Sequence, residues 1–256
     1  MSSVDVAWEI CRRTWTKTAR RPMLLTFSFA QPLMWMVFFG FLFHRYSLSG
    51  LGGAVSYLDF LTPGVCAMTV LFGASQSGIG WIRDLQTGFL PRMLNTPASH
   101  HALLLGKILA DVLRLLAQAL VVLLLALALG ARLTPAWGAV LPAALCLALF
   151  AAAFSSLSCA LALRTRAQEA MAAFVHLVNL PILFTSTALV PVRHMPAWLA
   201  AAARWNPLTL TVDAWRGALL FGDMPSAAGQ LLPLAILAAV FYLMAAREMR
   251  GIAALY

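Results

Sequence analysis

The chain has 256 residues, 62% of them hydrophobic and 11% charged, with a formal net charge of +9 and a mean hydropathy of +0.84. A soluble domain of this length keeps about a quarter of its residues charged, so the composition excludes an ordinary soluble enzyme and places the chain among integral membrane proteins. The Lys and Arg residues sit in short segments beside apolar runs, as membrane orientation requires, and form no basic groove for nucleic acid.

The first element is basic and amphipathic. Val4, Ala7, Trp8, Cys11 and Trp15 recur at steps of three and four, with Arg12, Arg13, Lys17, Arg20 and Arg21 between them. The pattern predicts a helix within residues 1–22 lying in the headgroup plane, although a plain positive flank would have the same composition. No short apolar core with a cleavage site precedes the first apolar run, so that run is expected to remain in the protein.

Six spans are predicted: Met23 to Phe43, Leu58 to Trp81, Ala102 to Leu129, Trp137 to Leu163, Ala170 to Leu189, and Leu231 to Ala246, the last being the shortest. Gln31-Pro32 interrupts the first, where a kink would turn Gln31 toward protein. Residues 82–101, between the second and third spans, are too short for an enzyme domain yet patterned, and read as a loop that receives force from a soluble partner. Between the fifth and sixth spans, residues 190–230 hold four prolines. Trp198 to Ala203 and Leu208 to Phe221 there read as short apolar helices that dip into the outer leaflet or cover the mouth of the bundle.

With the N-terminus inside, twelve basic residues fall on the inner side, among them Arg83, Arg92, Lys107, Arg164, Arg166, Arg247 and Arg250. Five fall outside: Arg45, Arg132, Arg193, Arg204 and Arg216. The asymmetry predicts both termini and the loop in the cytoplasm.

Lys107, Asp111, Arg114 and Gln118 follow one another at steps of four, three and four, so they share one face of the third span and must meet protein or water. The stripe is either a polar wall beside a translocation path or a subunit seam, or an internally satisfied pair of Asp111 and Arg114. In the fifth span Pro181 predicts a kink. Gln31, Gln76, His176, Asn179, Thr185 and Ser186 are candidates to line a path for an amphiphilic substrate, while a lone histidine such as His176 also suits helix packing. Cys11, Cys66, Cys146 and Cys159 have neither disulfide nor metal spacing and read as small reduced core residues. No catalytic constellation is found. A glycine-rich phosphate loop ending in Gly-Lys-Ser or Gly-Lys-Thr is absent from the sequence, and Gly73-Ala74-Ser75-Gln76 has Gln76 where an intramembrane serine protease needs glycine.

Phe60-Leu61-Thr62-Pro63-Gly64, Arg83-Asp84 with Gly88, Arg92, Leu94 and Pro97, and Gly106-Lys107 together resemble the signature of type-2 ABC transporter permeases. So do Gln31-Pro32-Leu33, Phe39-Gly40, Asn179-Leu180-Pro181, Pro191, Met195-Pro196-Ala197-Trp198, Asn206-Pro207-Leu208, and Asp213 with Arg216. Among the branches the chain is most similar to the daunorubicin-resistance type, with nodulation lipo-oligosaccharide exporters close behind. The resemblance implies an all-α membrane domain over residues 1–256 with an interfacial N-terminal helix, six spans, a cytoplasmic coupling helix and outer re-entrant half-helices. Asp84, Gly88, Arg92, Leu94 and Pro97 fall in or beside the coupling segment; Asn206, Pro207, Asp213 and Arg216 fall in the half-helices.

It further implies a homodimer bound to two copies of a separate P-loop ATPase, which carries the ATP and magnesium, in a bacterial plasma membrane. The permease itself holds no metal or cofactor and has no catalytic residue. The expected function is ATP-driven export of an amphiphilic drug or lipid-like substrate. Export of a lipid-linked oligo- or polysaccharide is the alternative, and a stand-alone channel or intramembrane enzyme is the rival from another class. Family members often carry acidic residues where Gln86 and Pro91 stand, so charge pairing with the ATPase is not expected at these two positions. Pro91 also predicts a later start for the coupling helix.

Overall fold

The computed structural model describes residues 8–14, 16, 34–43, 56–95, 99–134 and 137–254. These form helices and turns, with no strand among the described residues. The helices are α1 (8–14), α2 (34–42), α3 (Tyr57–Ser75), α4 (Ser77–Gln86), α5 (Phe89–Leu94), α6 (His100–Ala128) and α7 (Trp137–Thr165). They continue with α8 (Gln168–Phe184), α9 (Ala197–Trp205), α10 (Pro207–Arg216), α11 (Met224–Gly229) and α12 (Leu231–Ala253). Gln31, Pro32 and Pro97, and the residues before Trp8, lie outside the described residues.

Helix α3 is the hub. Ser56 caps it: its hydroxyl accepts from the Leu58 amide at 3.3 Å, and Asp59 Oδ2 accepts from the Ser56 amide at 3.1 Å, a reciprocal capping box. Most of its residues are buried on all sides, because α6, α7, α8 and α10 pack around it. At Gly64 an added Cβ would run into the carbonyl oxygen of Ala188, so only glycine lets the chain after α8 come this close. Helix α4 continues α3 after a turn at Gln76, and the combined run Tyr57–Gln86 has 30 residues. At 1.5 Å per residue it is about 45 Å long, which exceeds the hydrocarbon core by about 15 Å and carries its end past the apolar layer.

The combined run, α6, α7 and a run from Ala227 to Ala253 are each long and apolar enough to cross a membrane. Within the spanning window, 83% of the first run is buried but only 11% of the last, so α3 is central and α12 peripheral. Helix α12 leans on α7, with Phe241 edge-on to Phe154. Leu232, Ile236 and Leu243 on its far side are exposed, as lipid-facing residues are.

Three expected boundaries move. The second span runs on to Gln86, so Arg83 and Asp84 belong to its helix and the loop begins after them. The last span is not the shortest: α12 has 23 residues because Arg247 and Arg250 prolong the helix beyond its apolar part, whereas α8 has 17. Pro181 lies in the last turn of α8 and ends it, rather than kinking a longer helix at its middle, so Thr185 and Ser186 stand beyond the helix end.

Past α8 the chain folds over one end of the bundle. A 3₁₀ turn (Val192–His194) leads to α9, which exposes Trp198 and Trp205, and then to α10, which is buried against α3 and α7. Asn206 caps α10 by accepting from the Leu208 amide at 2.8 Å, and Pro207 occupies the first turn, where a missing N–H costs nothing. A π-helical turn, Gly217–Phe221, follows. The expected second half-helix, Leu208 to Phe221, is thus α10 plus this turn.

Candidate functional site

The loop segment hangs from a buried ion pair. Lys107 Nζ, on the first turns of α6, donates to Asp84 Oδ2 at 2.6 Å and lies 4.1 Å from the ring centre of Trp81. Lys107 is 8% exposed, so it is anchored between α4 and α6 and does not reach for the headgroups. The chain then leaves α4 through Thr87 and Gly88, whose φ of 70° is left-handed and favours glycine, and re-enters helix at once as α5. Pro91 does not delay α5, which starts at Phe89, because Pro91 is its third residue, where an amide has no intrahelical acceptor to lose.

The six residues of α5 have two faces. Leu90 and Leu94 are buried in the apolar core, while Arg92 is exposed, as are Arg83, Gln86 and Thr87 beside it. Leu94 therefore supports the helix from inside, and the outward surface is carried by Arg92. The N-terminal helix touches this assembly: the Arg13 guanidinium stacks 3.3 Å from the ring centre of Phe89. On the same short helix Ile10 and Cys11 are buried. Burial pushes the Cys11 thiol above its ordinary range and the Asp111 carboxylate adds to this, so Cys11 is a protonated packing group. All four cysteines are free and buried.

Deeper in the bundle the α6 stripe is joined to α3 and α4. Arg114 donates to Asp111 Oδ1 at 3.4 Å, to Gln118 Oε1 at 3.4 Å, to the Gly73 carbonyl at 3.3 Å and to Ser77 Oγ at 3.3 Å. Asp111 and Gln118 are buried and Arg114 is half-buried. The Asp111–Arg114 pair is thus bonded across a helix seam, while the buried Gln118 Nε2 has no partner among the described residues. At the turn between α3 and α4, Ser75 donates to Asn179 Oδ1 at 2.9 Å, and Ser158 Oγ donates to the Ser75 carbonyl at 2.6 Å while accepting from the Gly78 amide at 2.9 Å. Gln76 is exposed beside this node.

The remaining candidates divide. Asn179 is buried at the seam, and His176, three residues before it on α8, is exposed. Thr185 and Ser186 join the cap over that end of the bundle. Asn206 Nδ2 donates to the Ile182 carbonyl at 2.7 Å and to Thr185 Oγ1 at 2.8 Å, and Ser186 Oγ donates to the Leu183 carbonyl. Arg216 completes the cap: it donates to Asp213 Oδ1 at 3.1 Å, to the Thr187 carbonyl at 3.0 Å and to the Phe60 carbonyl at 3.4 Å, with its guanidinium 3.8 Å from the Phe60 ring centre. Burial pulls the Arg216 guanidinium down from its ordinary value and Asp213 offsets this; an arginine so placed stays protonated at neutral pH.

Two contributors are absent from the sequence reading. Asp59 Oδ1 accepts from the Arg132 amide at 2.7 Å, and the Tyr57 hydroxyl donates to the Leu189 carbonyl at 3.1 Å. Ser56 and Asp59 stand at capping-box spacing, a signal readable in the sequence; the partners of Tyr57 and Ser158 arise only in the fold.

The described residues thus join a short two-faced helix on an ion-paired base to a polar seam and a capped far end. The sequence profile of the ABC-2 type transporter family matches residues 6–220. The chain belongs to that family. Its relatives include a transport permease, ycf38, of Cyanophora paradoxa, 31% identical over 210 residues that cover 81% of this chain and 71% of that protein. The daunorubicin-resistance ABC transporter permease DrrB1 of Streptomyces coeruleorubidus is 29% identical, with 76% of this chain and 68% of that protein aligned. A protein described as a doxorubicin-resistance permease, DrrC, of Mycobacterium tuberculosis is 25% identical over 84% and 76% of the two chains. An ABC-2 permease is the membrane subunit of an ABC transporter, and its family associates with an ABC ATPase subunit.

Proposed function

We propose that this permease exports an amphiphilic drug or lipid-like molecule from the cytoplasm or inner leaflet. The observation that carries the reading is α5: a short helix with one exposed cation, Arg92, held rigidly to two spans by the Asp84–Lys107 pair. Such an element is suited to pass a rigid-body push from a docked subunit into the bundle. The apolar spans, with fixed charges confined to satisfied pairs, favour a ligand with little charge of its own. The drug-resistance relatives favour the same substrate class.

In this reading two ATPase subunits bind two permease copies, ATP and its magnesium are held and hydrolysed on the ATPase, and the permease residues move the substrate. Residues 1–256 form one membrane domain in a bacterial plasma membrane, with residues 23–43, the α3–α4 run, α6, α7, α8 and α12 as its six spans, α5 and both termini in the cytoplasm, and α9 and α10 on the outer side. The test is to purify the tagged chain from native membranes in mild detergent, then measure ATP hydrolysis against anthracycline-like drugs and lipids in reconstituted vesicles. A stoichiometric P-loop ATPase stimulated by such a compound, with ATP-dependent loss of it from the inner side, is expected. A chain that arrives alone across several detergents overturns the drive, and stimulation only by lipid-linked saccharides replaces the substrate class.

A further inference from the structure

We propose that the groove between the first turn of α6 and the last turns of α12 holds the phosphate headgroup of an anionic membrane lipid, gripped by Arg250, His101 and Tyr242. Tyr242 precedes Arg250 by eight residues, about 12 Å of helix rise. One imidazole nevertheless meets both: Arg250 lies 3.1 Å from His101 Nε2, and Tyr242 Oη lies 3.1 Å from His101 Nδ1. The guanidinium is therefore folded back along α12 toward the bilayer, although Arg250 stands at the exposed end of the helix.

The protons follow from this arrangement. Arginine can only donate, so Nε2 accepts; Nδ1 then carries the ring proton and donates to the tyrosine oxygen. This leaves the tyrosine O–H and the remaining guanidinium N–H groups with donors to spare. Ser99 begins α6 without a side-chain cap, and among the described residues the amides of His100 and His101 have no acceptor. Arg247 is exposed one turn before Arg250, and among the described residues no carboxylate pairs with Arg250; Glu248 is half-buried on the same helix. The groove is thus electropositive and supplied with idle donors, and a phosphodiester is the acceptor that matches it.

What lies beside the donors selects lipid over an acidic protein segment. Leu105 and Leu109 follow His101 at steps of four and are exposed on its face of α6, and Leu243 is exposed two turns before Arg250 on α12. Acyl chains attached to the bound phosphate would cover these leucines. The argument holds in either leaflet, so it stands apart from the orientation and substrate proposed above.

The experiment is native mass spectrometry of the full permease complex released from nanodiscs containing dioleoyl phosphatidylglycerol and dioleoyl phosphatidylcholine in equal amounts. The intact complex is expected to retain phosphatidylglycerol over phosphatidylcholine, and Arg250→Ala to lower that preference about fivefold, as the loss of one juxtamembrane cation implies. Tyr242→Phe, which keeps the ring and loses one donor, is expected to lower it in the same direction, and decides the matter if Arg250→Ala does not fold. Equal retention of the two lipids by the intact complex overturns the proposal. So does an unchanged preference in folded Arg250→Ala or in Tyr242→Phe. Loss of ATPase association in Arg250→Ala with phosphatidylglycerol retention intact also overturns it, and assigns the groove to a protein contact.

Discussion

Arg114 survives in an apolar bundle because four acceptors on three helices meet it, and only one of them is charged. Exchanging Asp111 and Arg114 keeps an ion pair on α6, but a carboxylate at position 114 repels the Gly73 carbonyl instead of donating to it. The exchanged chain is therefore expected to fold and insert with a stability loss of about 2 kcal/mol, the worth of hydrogen bonds to a charged group. Tryptophan fluorescence during thermal unfolding in detergent would read this; equal stability would show that Arg114's contacts to α3 and α4 contribute little. Gly64→Ala tests a different constraint. Its added methyl meets backbone, the Ala188 carbonyl, and not a side chain that could turn away, so the segment joining α8 to α9 must shift, at a cost of about 1–3 kcal/mol. A melting temperature unchanged by that substitution would refute the close approach. Neither Ala188 nor Gly73 stands out in the sequence, whereas Asp111 and Arg114 do, because charge within an apolar run is visible from periodicity alone.

At the scale of elements, α5 and its base should fail in distinguishable ways. Arg92→Glu reverses the exposed cation and is expected to abolish ATPase association while leaving the amount of folded permease unchanged. Leu94→Asp buries a carboxylate in the core and is expected to lower the folded amount itself, which size-exclusion of a fluorescent fusion would separate from loss of docking. Lys107→Met leaves Asp84 without its 2.6 Å partner at the junction of α4 and α6; ATP hydrolysis is expected to persist with substrate stimulation reduced severalfold, because the docked helix then moves without carrying the span. Undiminished stimulation would remove the pair from the coupling path. The existence of these elements was legible in the sequence, since apolar runs and basic flanks determine where spans lie. Their ends were less so. Arg83 and Asp84 look like loop residues by polarity, but Asp84 is neutralised by Lys107, and the helix continues through both. Likewise the hydroxyls of Thr185 and Ser186 are conspicuous by polarity, but their partners, the carbonyls at the end of α8 and Asn206, arise only in the fold.

Among the described helices α3 is central and α12 peripheral, packed along α7, and this asymmetry bears on how the chain sits in the bilayer. Helix α3 is enclosed on all sides, α12 rests on α7 with its other side exposed, and α8 is about 25 Å long at 1.5 Å per residue, short of a 30 Å hydrocarbon core. Its end is tied to α10 by the bonds of Asn206 Nδ2 to the Ile182 carbonyl and of the Thr187 amide to Thr209 Oγ1. The proposed placement of both termini and α5 on the inner side makes a direct prediction. With Cys11, Cys66, Cys146 and Cys159 replaced by alanine or serine, single cysteines at Gln86, Arg166 and Arg250 should resist a membrane-impermeant maleimide in intact cells and react once the membrane is opened. Cysteines at Arg132 and Arg193 should react in intact cells. The reverse pattern would invert the protein in the membrane and move α5 away from any cytoplasmic ATPase. Labelling of Arg166 and Arg193 from the same side would mean that α8, for all its apolar length, does not cross, leaving α5 and the C-terminus on opposite faces of the bilayer.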